Sequence, residues 1–276
     1  MKKFLVLIVF AMIIIFALSC GNEKKSSGYE LALITDVGTI DDRSFNQGSW
    51  EGLKKYAEEK SITHKYYQPT EKTTDAYIDS IDLAVAAGAK IVVTPGFLFE
   101  PAIYKAQDIH PEVNFVLLDG SPQDGNYQDF RIEKNVYSVF YAEEEAGFLA
   151  GYGAVKEGYT NLGFMGGMAV PAVVKFGYGF VQGVNYAAKE FGIKNVKVDY
   201  NYIGGFNPSP ETQTKAASWY RNGVQVIFVA GGGAGNSVMS AAEQNNGYVI
   251  GVDVDQSSES PTVITSAMKM IGESVY

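Results

Sequence analysis

The sequence predicts an α/β protein built on parallel β-sheet that helices cover on both faces, and its length allows two lobes. Short apolar runs alternate with helical segments along the chain, which is the arrangement typical of parallel sheets. The composition is that of a globular protein, with 46% hydrophobic and 19% charged residues. About 250 residues remain after the N-terminal apolar segment, which is enough for two lobes of ordinary domain size.

The N-terminus has the features of an export signal. Two lysines precede an apolar run over 4–18, shorter than the roughly 20 residues of a transmembrane helix, although a retained anchor is an alternative. The run ends at Cys20, the single cysteine, in the imperfect lipobox ALSC, where leucine is more usual at the first position. We interpret 1–20 as a lipoprotein signal peptide and 21–28 as a polar tether. An ordinary signal peptide with a chance cysteine is the alternative, but a secreted protein gains little from a lone reactive thiol.

Composition excludes several classes of function. A formal net charge of −9 argues against a nucleic-acid partner. One cysteine allows no disulfide within the chain, and with only two histidines beside it a transition-metal site is not expected. The sequence contains no nucleophile elbow, metal cluster or Walker motif, so we expect no cofactor and no enzymatic activity.

The predicted elements divide the chain into 29–140 and 141–256, with 257–276 returning to the first lobe. Strands of the first lobe are expected at 30–35, 62–69, 90–96, 113–120 and 135–141, and helices at 45–60, 73–88 and 100–109. A helix at 142–156 leads to the second lobe, where we expect strands at 161–167, 196–204, 224–232 and 248–254 and helices at 171–191, 210–222 and 235–245. The segment 261–269 is expected in the first lobe, followed by a helix in which the chain ends, as if truncated.

The stretch TDVGTIDDRSFNQGSWEG predicts a ligand site between the first strand and the first helix. Open α/β sheets bind ligands beyond the carboxyl ends of their strands. Asp36 supplies an acceptor, Phe45 an aromatic face and Asn46 an amide that donates and accepts, a set suited to a polar planar molecule. On these residues alone a plainer interpretation is slightly favoured, in which Asp41 or Asp42 caps the helix, Phe45 is core and Asn46 lies at the surface.

DDRSFNQ followed by GSWEG resembles the signature of the basic membrane protein family, whose best understood members are purine nucleoside receptors. The resemblance covers the chain after residue 28. It continues, in order, at LLDG (117–120), GG…VPAVVKFGYGFVQG (166–183), GVDVDQ (251–256) and TSAMK (265–269). It implies a lipoprotein with the type I periplasmic binding protein fold, two Rossmann-like lobes around a cleft, which serves an ABC importer as its capture subunit.

The resemblance assigns the base-binding residues. Asp119, at the end of LLDG, becomes a contact for purine ring nitrogens in place of a plain Asp-Gly turn. Phe176 and Phe206 are candidates for the second aromatic wall, although core packing is the usual fate of phenylalanine. We prefer Phe176, because its surroundings in KFGYGF match the family better.

The run GGGAG (231–235) invites a dinucleotide interpretation, which fails. Asn236 stands where the last glycine belongs, and the acidic residue about twenty positions on is missing. We expect the backbone at Gly232 to approach the ligand closely and to offer bare N–H groups. A flexible turn is the alternative.

The sugar-binding residues are expected near the end of the chain. Asp253 ends a strand, where a carboxylate can accept from both hydroxyls of a ribose. Asp255 competes for this role, because period-2 alternation places both on one face. Lys269, expected one turn into the last helix, would donate to ribose oxygens or pair with Asp253, with an exposed helical lysine as the alternative.

These observations lead to one hypothesis and several alternatives. The hypothesis is a lipid-anchored, extracytoplasmic and monomeric binding protein that captures a purine nucleoside for the permease and ATPase of an ABC importer. A sugar or small-signal receptor of the same fold is the first alternative, since aromatic rings and aspartates also serve pyranoses. A surface adhesin stays open. A transcription-factor effector domain is disfavoured, because a signal occupies the place of a helix-turn-helix.

Overall fold

Two five-stranded parallel sheets form the framework of the protein in a computed structural model that describes residues 29–36 and 38–276. The predicted signal peptide, the tether and Cys20 lie outside the described residues. The strands are β1 (Leu31–Ile34), β2 (His64–Tyr67), β3 (Ile91–Pro95), β4 (Asn114–Leu118), β5 (Val136–Val139), β6 (Asn161–Gly166), β7 (Lys197–Tyr202), β8 (Val226–Ala230), β9 (Tyr248–Asp253) and β10 (Val263–Met268). All observed pairings between them are parallel.

The two sheets share one strand order. The first runs β2-β1-β3-β4-β5 and the second, taken from its opposite edge, β7-β6-β8-β9-β10. In each, the order reverses beside the first strand, and such a reversal opens a crevice at the carboxyl ends of the strands. The predicted fold class, two parallel-sheet α/β lobes, is confirmed.

Eight helices are described. They are α1 (Phe45–Lys60), α2 (Thr74–Ala86), α3 (Glu100–Ile109), α4 (Glu143–Lys156), α5 (Pro171–Glu190), α6 (Pro210–Arg221), α7 (Gly235–Asn245) and α8 (Ile271–Val275). Their starts follow local signals: the Thr73 side chain caps α2 by accepting from the Ala76 N–H, and Pro171 and Pro210 open α5 and α6, where no N–H is needed.

The core lies on both faces of each sheet, because side chains of a strand point alternately to its two sides. In β1, Leu31 and Leu33 pack with α1 on one face, whereas Ala32 and Ile34 pack with α2 and α3 on the other. β8 divides its side chains in the same way between the α4–α5 pair and the α6–α7 pair. A strand that is buried on both faces has a continuous apolar sequence, which is why these strands could be predicted.

The α4–α5 pair is packed backbone to backbone through four glycines. A Cβ atom at Gly147 or Gly151 would collide with a carbonyl oxygen of α5, and one at Gly179 or Gly183 with a carbonyl oxygen of α4. Small residues four positions apart on both helices therefore set their separation. This contact places the first turn of α4 beside the second turn of α5, where Glu143 meets Lys175.

The prediction that 261–269 returns to the first lobe is wrong. β10 pairs with β9, from Val263 opposite Val249 to Met268 opposite Asp253, and forms the edge of the second sheet. The second lobe thus completes the strand order of the first before the chain leaves it. Only α8 lies on the first lobe, against α1, and Lys269 stands in the short connection between β10 and α8 and not within a helix.

Candidate ligand-binding site

A cavity of about 520 Å³ lies between the lobes, where the carboxyl ends of both sheets face each other. Its size falls within the range of small-molecule sites. Every residue predicted to contact a ligand lines it: Asp36, Phe45, Asn46, Asp119, Phe176, Phe206, Gly232, Asp253 and Lys269. Asp255, the competitor of Asp253, is exposed and does not line it.

Asp42 organises the start of α1 on the floor of this cavity. Its carboxylate accepts from the backbone N–H groups of Ser44, Asn46 and Gln47 at 2.9–3.0 Å. Burial raises the pKa of Asp42 to about 6, against the lowering effect of these three hydrogen bonds. The prediction that an aspartate caps this helix is confirmed for Asp42, which also lines the cavity.

Asn46 is buried and held by two carboxylates. Its Nδ2 lies 3.0 Å from Oδ1 of Asp36 and 3.2 Å from Oδ2 of Asp42. Its Oδ1 is buried without a hydrogen-bond partner among the described residues. With a residue exposure of 4%, Asn46 is not the surface residue of the plainer interpretation.

Lys269 lies at the centre of a buried charge cluster. Its Nζ is 2.5 Å from Asp119, 3.1 Å from Glu143 and 3.9 Å from Asp253. Burial alone lowers the pKa of Lys269, but the three carboxylates outweigh burial and hold the pKa above its usual range. The ring of Phe45, 4.9 Å from Nζ, adds a cation–π contact. Lys269 is therefore a buried cation, and the alternative of an exposed helical lysine is wrong.

Asp119 and Asp253 occupy equivalent positions in the two lobes. Asp119 follows the fourth strand of the first lobe, and Asp253 ends the fourth strand of the second. Both have left-handed backbone conformations, with φ of 55° and 68°, which aspartate tolerates better than most residues. Burial raises the pKa of both carboxyls, that of Asp119 to about 7. Their side chains converge on Lys269 from opposite lobes.

The phenylalanines that line the cavity differ in how much of each residue is exposed. Phe45, the first residue of α1, is partly exposed to the cavity. Phe176 is 2% exposed and meets the core ring of Phe228 edge-on, with centroids 5.8 Å apart. Phe206 is only partly buried and lies over the backbone of Gly167 and Gly232. The structure therefore brings both candidates for the second aromatic wall to the cavity, and Phe206 is the less buried of the two.

The glycine run after β8 lines the cavity with backbone. Gly232 has a φ of 54°, which favours glycine, and it begins a short 3-10 turn that leads into α7. Because Gly231 and Gly233 also line the cavity, a ligand meets main chain there and no side chain. Which backbone groups a ligand contacts stays a prediction.

Sequence reasoning missed several residues of the site, among them Phe97, Asn207 and Asn236, which line the cavity, and two residues that bind its charged groups. Glu143, 2% exposed, binds Lys269 at 3.1 Å and Lys175 at 3.3 Å. It opens the run EEEAGF, which has the pattern of a solvated acidic first turn, so nothing local indicated burial. Ser44, within DDRSFN, was not predicted as a site residue, although its hydroxyl donates a hydrogen bond to Asp253.

The comparisons with known proteins agree with this architecture. The family model described as Bmp, ABC transporter substrate-binding protein PnrA-like, matches residues 29–276. The chain belongs to this family. Its members are extracytoplasmic substrate-binding subunits of ABC transporters, which work with permease and ATPase subunits and are not enzymes. The resemblance inferred from the spaced motifs is thereby confirmed.

Similar proteins include two curated relatives and one solved structure. The ABC transporter nucleoside-binding protein BmpA of Lactococcus lactis subsp. cremoris is 31% identical over 272 residues, 90% of this chain and 73% of the relative. Basic membrane protein A1 of Borrelia garinii subsp. bavariensis is 32% identical over 281 residues, 100% and 79% of the two chains. An ABC transporter solute-binding protein from Aeropyrum pernix K1 superposes with a TM-score of 0.77 at 26% identity, covering 90% of this chain and 69% of that one. Among the described residues, no helix is long and apolar enough to span a membrane.

Proposed function

We propose that this protein captures a purine nucleoside between its lobes for delivery to an ABC importer. One observation carries the proposal: aromatic faces from opposite lobes, Phe45 and Phe206, line the same cavity as the buried Asp253–Lys269 cluster. The rings suit a flat base and the cluster suits a polyhydroxylated sugar. The nucleoside-binding relative from Lactococcus supports the same ligand class.

In this proposal, the base lies between Phe45 and Phe206. Stacking of this kind is worth roughly 1–3 kcal/mol per base. Phe176 was the first choice from sequence, but its ring is packed into the second-lobe core, 5.2 Å from the Lys269 ammonium. We therefore assign Phe176 to the wall beside the charge cluster, with Asn46 and Asp119 along the edge of the base.

We propose that the ribose lies at Asp253. Oδ2 of this carboxylate accepts from Ser44, while Oδ1 lies 3.9 Å from Nζ of Lys269, beyond hydrogen-bond distance. A carboxylate offers about four lone-pair sites, so Asp253 can still accept from two sugar hydroxyls. In a closed cavity such charge-assisted hydrogen bonds are stronger than in water.

Attachment and assembly complete the proposal. Lipidation of Cys20 would tether the protein to the membrane through the polar segment 21–28, and we propose that the mature protein is a monomer. The support is the N-terminal sequence itself, in which the apolar run ends at the single cysteine. Stable attachment needs more than one acyl chain, which bacterial lipoproteins carry.

Analysis of the small molecules released from the purified, denatured protein tests the ligand class. We expect a purine nucleoside, and calorimetric titration should then give micromolar or tighter binding, about −8 kcal/mol. Uridine, ribose and xylose serve as comparisons. A protein that binds a free sugar and no nucleoside would be the sugar receptor of the same fold instead.

A further inference from the structure

Glu143, the first residue of α4, is a buried carboxylate to which the proposed function gives no role. It is 2% exposed, whereas Glu144 and Glu145, the next residues of the same run, are exposed. Its Oε1 lies 3.1 Å from Nζ of Lys269, and its Oε2 accepts from Nζ of Lys175 at 3.3 Å. Burial alone raises the pKa of Glu143, but the attraction of Lys269 and the hydrogen bonds to the carboxylate outweigh burial and lower it. Glu143 is therefore a buried anion held by two cations.

The backbone around Glu143 is tightly packed. α4 and α5 approach so closely that a Cβ atom at Gly179 would collide with the carbonyl oxygen of Glu144. Lys175 lies on the second turn of α5, so Glu143 and its second cation belong to this one helix pair. Lys269, by contrast, stands in the short connection between β10 and α8. The Glu143 carboxylate is thus a fixed point of the second lobe to which a residue of a connecting segment is bound.

The backbone places Lys269 next to Asp253. Met268 is the register partner of Asp253 at the end of the second sheet, and the Lys269 N–H donates to the Asp253 carbonyl at 2.8 Å. The charged groups are nevertheless apart, because Nζ of Lys269 lies 3.9 Å from Asp253 but 2.5 Å from Asp119 and 3.1 Å from Glu143. The ammonium therefore binds two carboxylates of other elements in preference to that of its neighbour in the sheet.

The position of the ammonium determines how much of Asp253 a ligand can use. A buried ammonium requires acceptors for its hydrogens. Without the Glu143 carboxylate, Lys269 would keep Asp119 and lose its second acceptor. The next carboxylate is that of Asp253, about 0.7 Å beyond the usual limit of about 3.2 Å for such a hydrogen bond. Since Ser44 already donates to Oδ2 of Asp253, an ammonium on Oδ1 would leave less acceptor capacity for a sugar.

We propose that Glu143 is a positioning residue of the sugar site, which holds the Lys269 ammonium away from Asp253 and so keeps that carboxylate free for two neighbouring hydroxyls. This inference rests on the proposed nucleoside-binding function and adds to it a residue outside the cavity wall. Glu143 is not one of the residues that line the cavity, so it acts through Lys269.

Calorimetric titration with adenosine and 2′-deoxyadenosine tests this role. Glu143→Gln keeps the size of the side chain and removes its charge. It should weaken adenosine binding about 10-fold, the equivalent of one charge-assisted hydrogen bond, and 2′-deoxyadenosine binding by less. The ratio of the two affinities should therefore fall towards one, whereas a merely structural role would weaken both nucleosides equally. Glu144→Gln is the matched control, since it removes the same charge from an exposed neighbour and should leave both affinities unchanged.

A second substitution shows whether Glu143 acts through Lys269. In a Lys269→Met background, Glu143→Gln should leave the ratio of the two affinities unchanged, because the group that Glu143 positions is absent. Glu143→Asp retains the charge but withdraws the carboxylate by one methylene, so its ratio should lie between those of the wild type and Glu143→Gln. This variant serves if thermal unfolding shows that Glu143→Gln is not folded.

A crystal structure of ligand-free Glu143→Gln gives a test that needs no nucleoside. It should show Nζ of Lys269 about 3 Å from a carboxylate oxygen of Asp253. A folded Glu143→Gln that keeps the wild-type ratio, or in which Lys269 stays as far from Asp253 as in the wild type, would overturn the inference and leave nucleoside binding intact. Failure of the wild type to bind either nucleoside would instead count against the proposed function, and the crystal structure would then decide the positioning role.

Discussion

The hydroxyl of Ser44 donates a 2.5 Å hydrogen bond to Oδ2 of Asp253, joining residues 209 positions apart in the chain and in opposite lobes. Both residues are buried, and Asp253 is a proposed ribose contact. The start of α1 is therefore bonded directly to the carboxylate of the other lobe that we propose as the ribose contact.

Removing this hydroxyl should weaken ligand binding. Ser44→Ala leaves one oxygen of Asp253 without its donor and removes a bond between the lobes, which predicts a loss of about 0.5–1.5 kcal/mol in binding free energy by calorimetric titration. Ser49→Ala is the matched control, because the Ser49 hydroxyl bonds the Phe45 carbonyl within α1. Equal effects of the two substitutions would mean that the bond between the lobes has no special role.

The proposed stacking walls can be told apart by substitution. Phe45→Ala and Phe206→Ala should each weaken nucleoside binding by about 1–3 kcal/mol while the protein still unfolds cooperatively. Phe176→Ala should instead lower the free energy of unfolding by about 3–5 kcal/mol, because its ring is packed in the core. If Phe176→Ala weakens binding in a stable protein and Phe206→Ala does not, the sequence-based preference for Phe176 over Phe206 as the second aromatic wall is right.

Sugar discrimination is expected to depend on Asp253. A 2′-deoxynucleoside lacks one donor to this carboxylate and should bind more weakly by about 1–3 kcal/mol. Asp253→Asn should weaken ribonucleoside binding and shrink the gap between ribo- and deoxyribonucleosides, measured with both ligands on both proteins. Asp255→Asn, at an exposed carboxylate, is the control. An unchanged ratio in Asp253→Asn would show that Asp253 does not contact the sugar.

The change of the free energy of unfolding with pH should reflect the titration of Asp119. Its pKa is about 7 in the folded protein and 3.8 in the reference state, so between these values the folded state holds more protons. The free energy of unfolding contributed by this group therefore falls as pH rises through that window. Lys269, Glu143, Asp253 and Tyr141 face the cluster, and Glu143, with its lowered pKa, acts in the opposite sense below about 4.5.

Thermal unfolding of the ligand-free protein measures this contribution. Between pH 5 and pH 8 the wild type should lose more stability than Asp119→Asn, by a few degrees in Tm, since 1 kcal/mol corresponds to roughly 2–4 °C at this size. The comparison cancels the titration of surface groups common to both proteins. Parallel profiles would show that Asp119 does not titrate in this range.

The lipid anchor can be tested in cells. Cys20→Ala should move the protein from the membrane to the soluble fraction and remove its partition into detergent. Cys20→Ser tests the same thiol with a smaller change in shape. If either variant partitions like the wild type, attachment does not depend on a lipid at Cys20.

Sequence reasoning predicted most helices and strands and nine of the residues that line the cavity. It did not predict the hydrogen bonds and ion pairs that hold the charged residues of the site. The central strands were predictable because each is a short apolar run, and Asp42 because capping is a local interaction. Glu143 and Ser44 could not be recognised, since their partners lie 126 and 209 residues away and nothing in the neighbouring residues differs from a solvated helix start. The placement of 261–269 was wrong because an edge strand has the same pattern in either sheet.

Asp119 and Asp253 occupy equivalent positions in the strand order, so the two carboxylates alone do not distinguish one end of the cavity from the other. Their surroundings do: Ser44 occupies one oxygen of Asp253, whereas Lys269 lies 1.4 Å nearer to Asp119 (2.5 Å against 3.9 Å). In the proposed complex, a serine and a lysine would therefore decide which end of a nucleoside each aspartate receives.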